Sequence, residues 1–178
     1  MLKILHLADV HFDTTFGCRS KPMRMKLRKA IRTAFVRAID AALEEEVDAV
    51  LLAGDLFDGE RLSFTTEKLL VDQFRRLRDG GIQVFSVCGN HDPASLRSRA
   101  GRIEWPDNCV VFSSGTPETA EIRSSDGSVR GIVVGAGHES SHEDRNLAQS
   151  FPGAAGDLPH IGLLHTMVTS AVAEVTIV

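Results

Sequence analysis

Residues 48–58 read Asp48-Ala49-Val50-Leu51-Leu52-Ala53-Gly54-Asp55-Leu56-Phe57-Asp58. A five-residue apolar run between polar neighbours is the length of a buried strand, not of a helix. Gly54 lets the chain turn sharply at the strand's end, and Asp55 closes it. The same order recurs on either side. An apolar run at 2–8 leads into Asp9-Val10-His11, and another at 82–87 leads into Gly89-Asn90-His91-Asp92.

The segments between these runs carry helical periodicity, so the first half reads as strand, helix, strand, helix, strand. The first helix is expected over 23–46, with Leu27, Ile31, Ala34, Phe35, Ala38 and Ala42 as its apolar stripe. The second is expected over 65–78, burying Leu70, Phe74 and Leu77 and stopping at Gly80-Gly81. Beyond Pro93 the elements shorten. Strands are expected at 110–112, 120–123 and 129–134, the last two joined as a hairpin around Asp126-Gly127. This second half is expected to be antiparallel, with a short helix at 141–149 and a final strand, 161–164, ending at His165.

A chain of 178 residues, 43% apolar, can bury the core of one domain. A formal charge of -4 argues against a generally basic nucleic-acid coat, so phosphate contacts would need a local patch or bound cations. Cys18, Cys88 and Cys109 are sparse and lack metal-ligand spacing, as expected of reduced thiols in a cytoplasmic protein. The apolar start is too short for a signal sequence and far short of the ~20 residues of a membrane span.

In sheets of this kind, ligands gather beyond the carboxyl ends of the strands. Asp9 and His11, two apart on an extended segment, can face the same cation. Asp55 suits a bridge, because one carboxylate offers an oxygen to each of two ions ~3.5–4 Å apart. Asn90 offers an amide oxygen, His91 a proton for a leaving oxygen, and Asp92 a carboxylate to orient the imidazole. Oxygen and imidazole donors without thiolates suit two divalent ions, manganese first, with iron or zinc possible.

The series Asp-x-His, Gly-Asp-x-x-Asp and Gly-Asn-His-Asp resembles the calcineurin-like metallophosphoesterases. Within them it is similar to the SbcD- and YhaO-like DNA repair exonucleases. The likeness is strongest through residue 93 and continues to Ile161-Gly162-Leu163-Leu164-His165-Thr166. It implies an α/β fold, a β-sandwich of two mixed sheets flanked by helices. It implies Asp9 and His11 on the first metal, Asp55 as the bridge, Asn90 and His165 on the second, and His91 as general acid. The implied reaction is in-line attack on a phosphodiester by a metal-activated water. Implied partners are DNA and an SMC-like ATPase subunit; self-association into a homodimer is a further expectation.

Such proteins carry a later Gly-His-x-His and a capping domain, so the chain is expected to be a truncated catalytic domain, incomplete at its C-terminus. His138 and His142 do not reproduce that motif; they are expected in a loop or on a helix surface, His138 nearer the cleft. His6 and His160 are expected to be structural. The apolar end at 171–178 is expected to be an aggregation-prone edge if exposed. Arg19, Lys21, Arg24, Lys26, Arg28, Lys29 and Arg32 crowd the start of the first helix and Glu44, Glu45 and Glu46 its far end, against the usual dipole preference. Arg19 and Lys21, in the loop, are the candidate DNA contacts. Two alternatives stay open: a phosphoesterase for small nucleotides or phosphoproteins, and a weakened subunit that binds DNA or a partner without cleaving.

Overall fold

A computed structural model of the chain describes residues 1–17, 19–59, 62–95 and 102–167; Cys18 and the apolar end at 171–178 lie outside the described residues. Four strands, β1 (Ile4–Leu7), β2 (Ala49–Ala53), β3 (Gln83–Val87) and β4 (Cys109–Phe112), lie side by side in that order, each parallel to its neighbour. Parallel neighbours require crossovers, and α1 (Lys21–Glu44) and α2 (Phe64–Asp79) supply the first two.

All five residues of β2 are buried because each of its faces has its own cover. Val50 and Leu52 pack with Phe35, Ile39 and Ala42 of α1 and with Leu70, Phe74 and Leu77 of α2. Ala49, Leu51 and Ala53 join Phe85, Val87 and Phe112 against Ile122, Val133 and Leu163 of a second sheet. That sheet has the order β5 (Glu118–Arg123), β6 (Val129–Ala136), β7 (His160–Leu164). The result is the expected α/β fold of two sheets with helices on a flank.

Several details differ from expectation. The segment expected to open an antiparallel half instead becomes β4, the parallel edge of the first sheet. Antiparallel pairing is confined, among the described residues, to the β5–β6 hairpin, and β6 pairs parallel with β7. The second sheet is therefore mixed and the first parallel throughout.

The apolar stripe of α1 runs through Phe35, Ile39 and Ala42, leaving Ala34 exposed. No helix forms across 141–149, where only a 3-10 turn appears at Leu147–Ser150. Local side-chain bonds compete with the helix there. The Ser140 hydroxyl donates to the His142 carbonyl, and the Arg145 backbone N–H donates to Glu143 Oε1.

The two helices are polarised oppositely. In α2, Ser63 caps the N-terminus by accepting from Thr66 N–H, Glu67 sits in the first turn, and Arg76 and Arg78 in the last. α1 has no acidic residue in its first turn and no basic residue in its last. No helix among the described residues is long and apolar enough to cross a membrane.

Candidate metal centre

Beyond the carboxyl end of β1 the chain lies along the loop that follows β2. Asp9 N–H donates to the Gly54 carbonyl, His11 N–H to Asp55 at 2.9 Å, and Phe12 N–H to Leu56 at 3.0 Å; Asp58 N–H returns to Phe12. The segment is not extended, as the spacing had suggested. Asp9, His11 and Asp13 have φ of 53°, 49° and 61°, and Asp55 has 52°, all left-handed. Each such conformation costs a side-chain-bearing residue about 1–3 kcal/mol and persists only where surroundings over-determine it. Asp13 is one such tie: its buried carboxylate accepts from Arg32 Nη2 and from Ser63 N–H, both at 2.7 Å. Burial works to raise the Asp13 pKa, but these bonds outweigh it and hold the group below its ordinary value.

Asp55 is the meeting point. Its carboxylate, 4% exposed, belongs to two groups whose potential ligand atoms all lie within 4.8 Å of one another: His11, Asp55 and His91, and Asp9, Asp55 and His165. His11 Nε2 lies 3.6 Å from Asp55 Oδ2, and His165 Nε2 lies 3.4 Å from the same oxygen. Burial opposes ionisation of Asp55, yet His165 and the His91 backbone N–H, at 2.9 Å, lower its pKa overall.

His165 shows why a cation fits. Its Nδ1 donates to the Ala53 carbonyl at 2.8 Å, which turns Nε2 toward Asn90 Oδ1 at 3.1 Å and Asp55 Oδ2. Two oxygen acceptors facing one ring nitrogen keep a proton there, and Asp55 is the main reason the His165 pKa is pushed up to about 9. The proton occupies ground that a divalent ion shared by the same oxygens and nitrogen would take. Oxygen and imidazole donors are the chemistry that manganese, iron and zinc accept. Two glycines make room: a Cβ on Gly54 would lie 2.6 Å from His165 Cβ, and one on Gly89 would lie 2.2 Å from Asp55 Oδ1.

Asp92 does not orient His91, contrary to the sequence expectation. Its buried carboxylate accepts three backbone N–H groups, from Asp55 at 3.0 Å and from Leu56 and Gly89 at 2.7 Å each, tying the β2 and β3 loops together. Burial raises the Asp92 pKa, with the Asp55 charge adding to the rise and the three N–H bonds opposing it. The partner of His91 is Asp58, whose Oδ1 lies 2.8 Å from His91 Nδ1. Sequence reasoning gave Asp58 no role, although it closes the Gly-Asp-x-x-Asp motif. The His91 and His11 rings meet edge-on at 4.9 Å.

His138 reaches the centre indirectly, its Nε2 2.9 Å from the His165 carbonyl oxygen. His142 is exposed. A cavity of about 1170 Å³ opens beside Asp9, Asn90 and His165 and is bounded by residues 141–148. Arg19 and Lys21 are exposed and do not line it. Of the basic cluster, Arg28 donates to the Thr14 carbonyl and Arg32 to Asp13, so both serve the loop.

A family model described as calcineurin-like phosphoesterase matches residues 2–166. The metallophosphoesterase YhaO of Bacillus subtilis is 35% identical over 167 residues, covering 92% of this chain and 40% of that protein. The DNA double-strand break repair protein Mre11 of Aeropyrum pernix is 40% identical over 97 residues, 54% of this chain and 22% of that one. A component of the SbcCD nuclease of Rhodobacter capsulatus is 34% identical over 109 residues, 60% and 24% respectively. The chain thus spans at most 40% of the length of these relatives.

Proposed function

The chain belongs to the calcineurin-like phosphoesterase family, and from that premise we propose a two-metal phosphodiesterase that acts on DNA, as an exonuclease in repair. The observation that carries the reading is Asp55, one buried carboxylate common to two ligand groups. By the family resemblance Asp9 and His11 would hold one ion and Asn90 and His165 the other, with manganese the first choice. The ligand groups pair Asp9 with His165 and His11 with His91, and Asp9 also lies 3.8 Å from His11, so Asp9 would stand within reach of both ions. Two bound divalent ions supply Lewis acidity, polarising a phosphoryl oxygen and making a water nucleophilic at neutral pH.

The chain's own residues do the rest. Asp92 fixes the loops that aim Asp55 and Asn90. His91, its side chain 46% exposed, is held through Nδ1 by Asp58, which leaves Nε2 free to give a proton to the departing oxygen. His91 also stands within ligand reach of Asp55 and His11, and His91→Ala separates the two roles: an acid's loss spares metal binding, a ligand's does not.

DNA is the substrate this reading takes up from relatives named as a break-repair protein and as a component of a nuclease. An SMC-like ATPase subunit as partner, self-association into a homodimer and a cytoplasmic setting complete the proposal. The test is digestion of end-labelled duplex DNA across a manganese titration. Metal-dependent shortening from the ends supports it, and intact DNA under every divalent metal overturns it.

A second reading is a phosphoesterase for small nucleotides. The cavity of about 1170 Å³ beside Asp9, Asn90 and His165 has room for a nucleotide. Hydrolysis of cyclic nucleotides with DNA left whole would favour it.

A further inference from the structure

We infer that His138 is a positioning residue for the metal centre, holding His165 in register with the Asn90 loop and so setting the affinity of that side of the centre for its divalent ion. This rests on the metal-centre reading above. His138 follows β6, and it joins three strand ends. Its backbone N–H donates to the Cys88 carbonyl at 2.9 Å and its carbonyl accepts from Ala94 N–H at 2.9 Å. Cys88 and Ala94 bracket Gly89-Asn90-His91-Asp92, so the second sheet grips the loop on both sides of Asn90.

Any residue's backbone would make those two bonds. The side chain makes a third. A carbonyl only accepts, so the contact from Nε2 to the His165 oxygen, at 2.9 Å, has Nε2–H as donor. His165 lies just past the end of β7, and its carbonyl is outside the strand ladder, where this ring supplies its partner. The two imidazoles meet edge-on, centroids 5.7 Å apart. His165 is thereby held through its ring by Ala53 and through its backbone by His138.

Packing alone does not account for a histidine here. With Nε2 donating, a neutral ring leaves Nδ1 as an acceptor, and that atom is buried without a hydrogen-bond partner among the described residues. A leucine or phenylalanine would fill the space without a buried, unpaired ring nitrogen, but would leave the His165 carbonyl without this donor. What histidine adds is a short, directed donor aimed at a ligand's own carbonyl. Groups one step behind metal ligands are typically worth about 10–100-fold in metal affinity.

Calorimetric titration of the metal-free chain with Mn²⁺ tests this in wild type, His138→Phe, His138→Leu and His138→Gln. Phe and Leu lack the donor, while the Gln amide restores it. Wild type is expected to show two binding events. Phe and Leu should weaken one of them by about 10–100-fold, the one that Asn90→Ala also weakens, and Gln should stay within about threefold of wild type. The inference is overturned if both events survive intact in Phe and Leu, if both weaken equally, or if Gln is as weak as Phe. A wild-type chain that takes up no Mn²⁺ overturns the metal-centre reading and this inference with it.

Discussion

Asp58 Oδ1 sits 2.8 Å from His91 Nδ1, so the last residue of the β2 motif holds the ring at the centre of the β3 motif. The consequence is chemical: with Nδ1 engaged by Asp58, Nε2 is the ring nitrogen left to give up a proton. Replacing Asp58 by Asn is expected to lower kcat by about 10–100-fold with little change in KM or Mn²⁺ affinity. His91→Ala is expected to cost about 100–10000-fold in kcat while sparing metal uptake. Loss of Mn²⁺ binding in His91→Ala would make the ring a ligand instead.

His165, with its pKa pushed up to about 9 mainly by Asp55, carries a proton in the metal-free chain at neutral pH. A ligand must shed that proton, so Mn²⁺ binding should release it, and affinity should climb with pH until about 9. The folded pKa lies above the unfolded one of about 6.5, so this group stabilises the metal-free protein below that pH and the contribution is lost as pH rises through the folded value. Calorimetry in buffers of different ionisation enthalpy reads the proton directly; zero release refutes the assignment.

Asp13 ties the left-handed loop to α1 and to the cap of α2. Asp13→Ala leaves Arg32 and Ser63 N–H without that carboxylate and should destabilise the fold by about 3 kcal/mol. Urea unfolding checks it, and a loss under about 1 kcal/mol, the size of an ordinary exposed pair, would show the tie to be dispensable.

Cys88 and Cys109 are both pushed up to about 12, chiefly by burial, with Asp92 and Asp107 adding to the rise. At pH 8 in a Cys18→Ser background, native protein should react with iodoacetamide roughly 1000-fold more slowly than unfolded protein, because the thiolate is the nucleophile. Equal rates would mean that the sites open freely.

Arg19 and Lys21 are exposed at the basic start of α1. If they touch a phosphate backbone, their double alanine variant should bind DNA more weakly and lower the slope of log K against log salt by about 1–2. An unchanged slope removes them from the interface.

The strands and helices of the first half were legible because burial on two faces and helical amphipathicity leave periodic marks in sequence, as β2 and α2 show. The placement of the three polar motifs at strand ends was legible for a related reason: Gly54 and Gly89 mark where backbone crowds side chains. What sequence did not reveal depends on contacts between distant loops. Nothing in the adjacency of His91 and Asp92 tells that Asp92 is spent on three backbone N–H groups, or that Asp58 takes its place. Likewise, spacing put Asp9 and His11 on one side, but the left-handed turns that bring them there answer to Asp13, Arg32 and Ser63. β4 joined the first sheet because Cys109 and Phe112 found partners in Val84 and Val87, a pairing no local pattern encodes.

The candidate ligands come from the ends of β1, β2, β3 and β7, with Asp55 between them. No contiguous peptide of this chain carries the set, so an ion cannot nucleate the structure by capturing one segment. The chain entropy of bringing residue 9 to residue 165 must already have been met by the sheets. Metal uptake at this centre would therefore report on completed folding, and an ion that binds only the assembled state draws the population toward it by mass action. A chelator would lower the midpoint of unfolding while leaving the order in which the strands assemble unchanged.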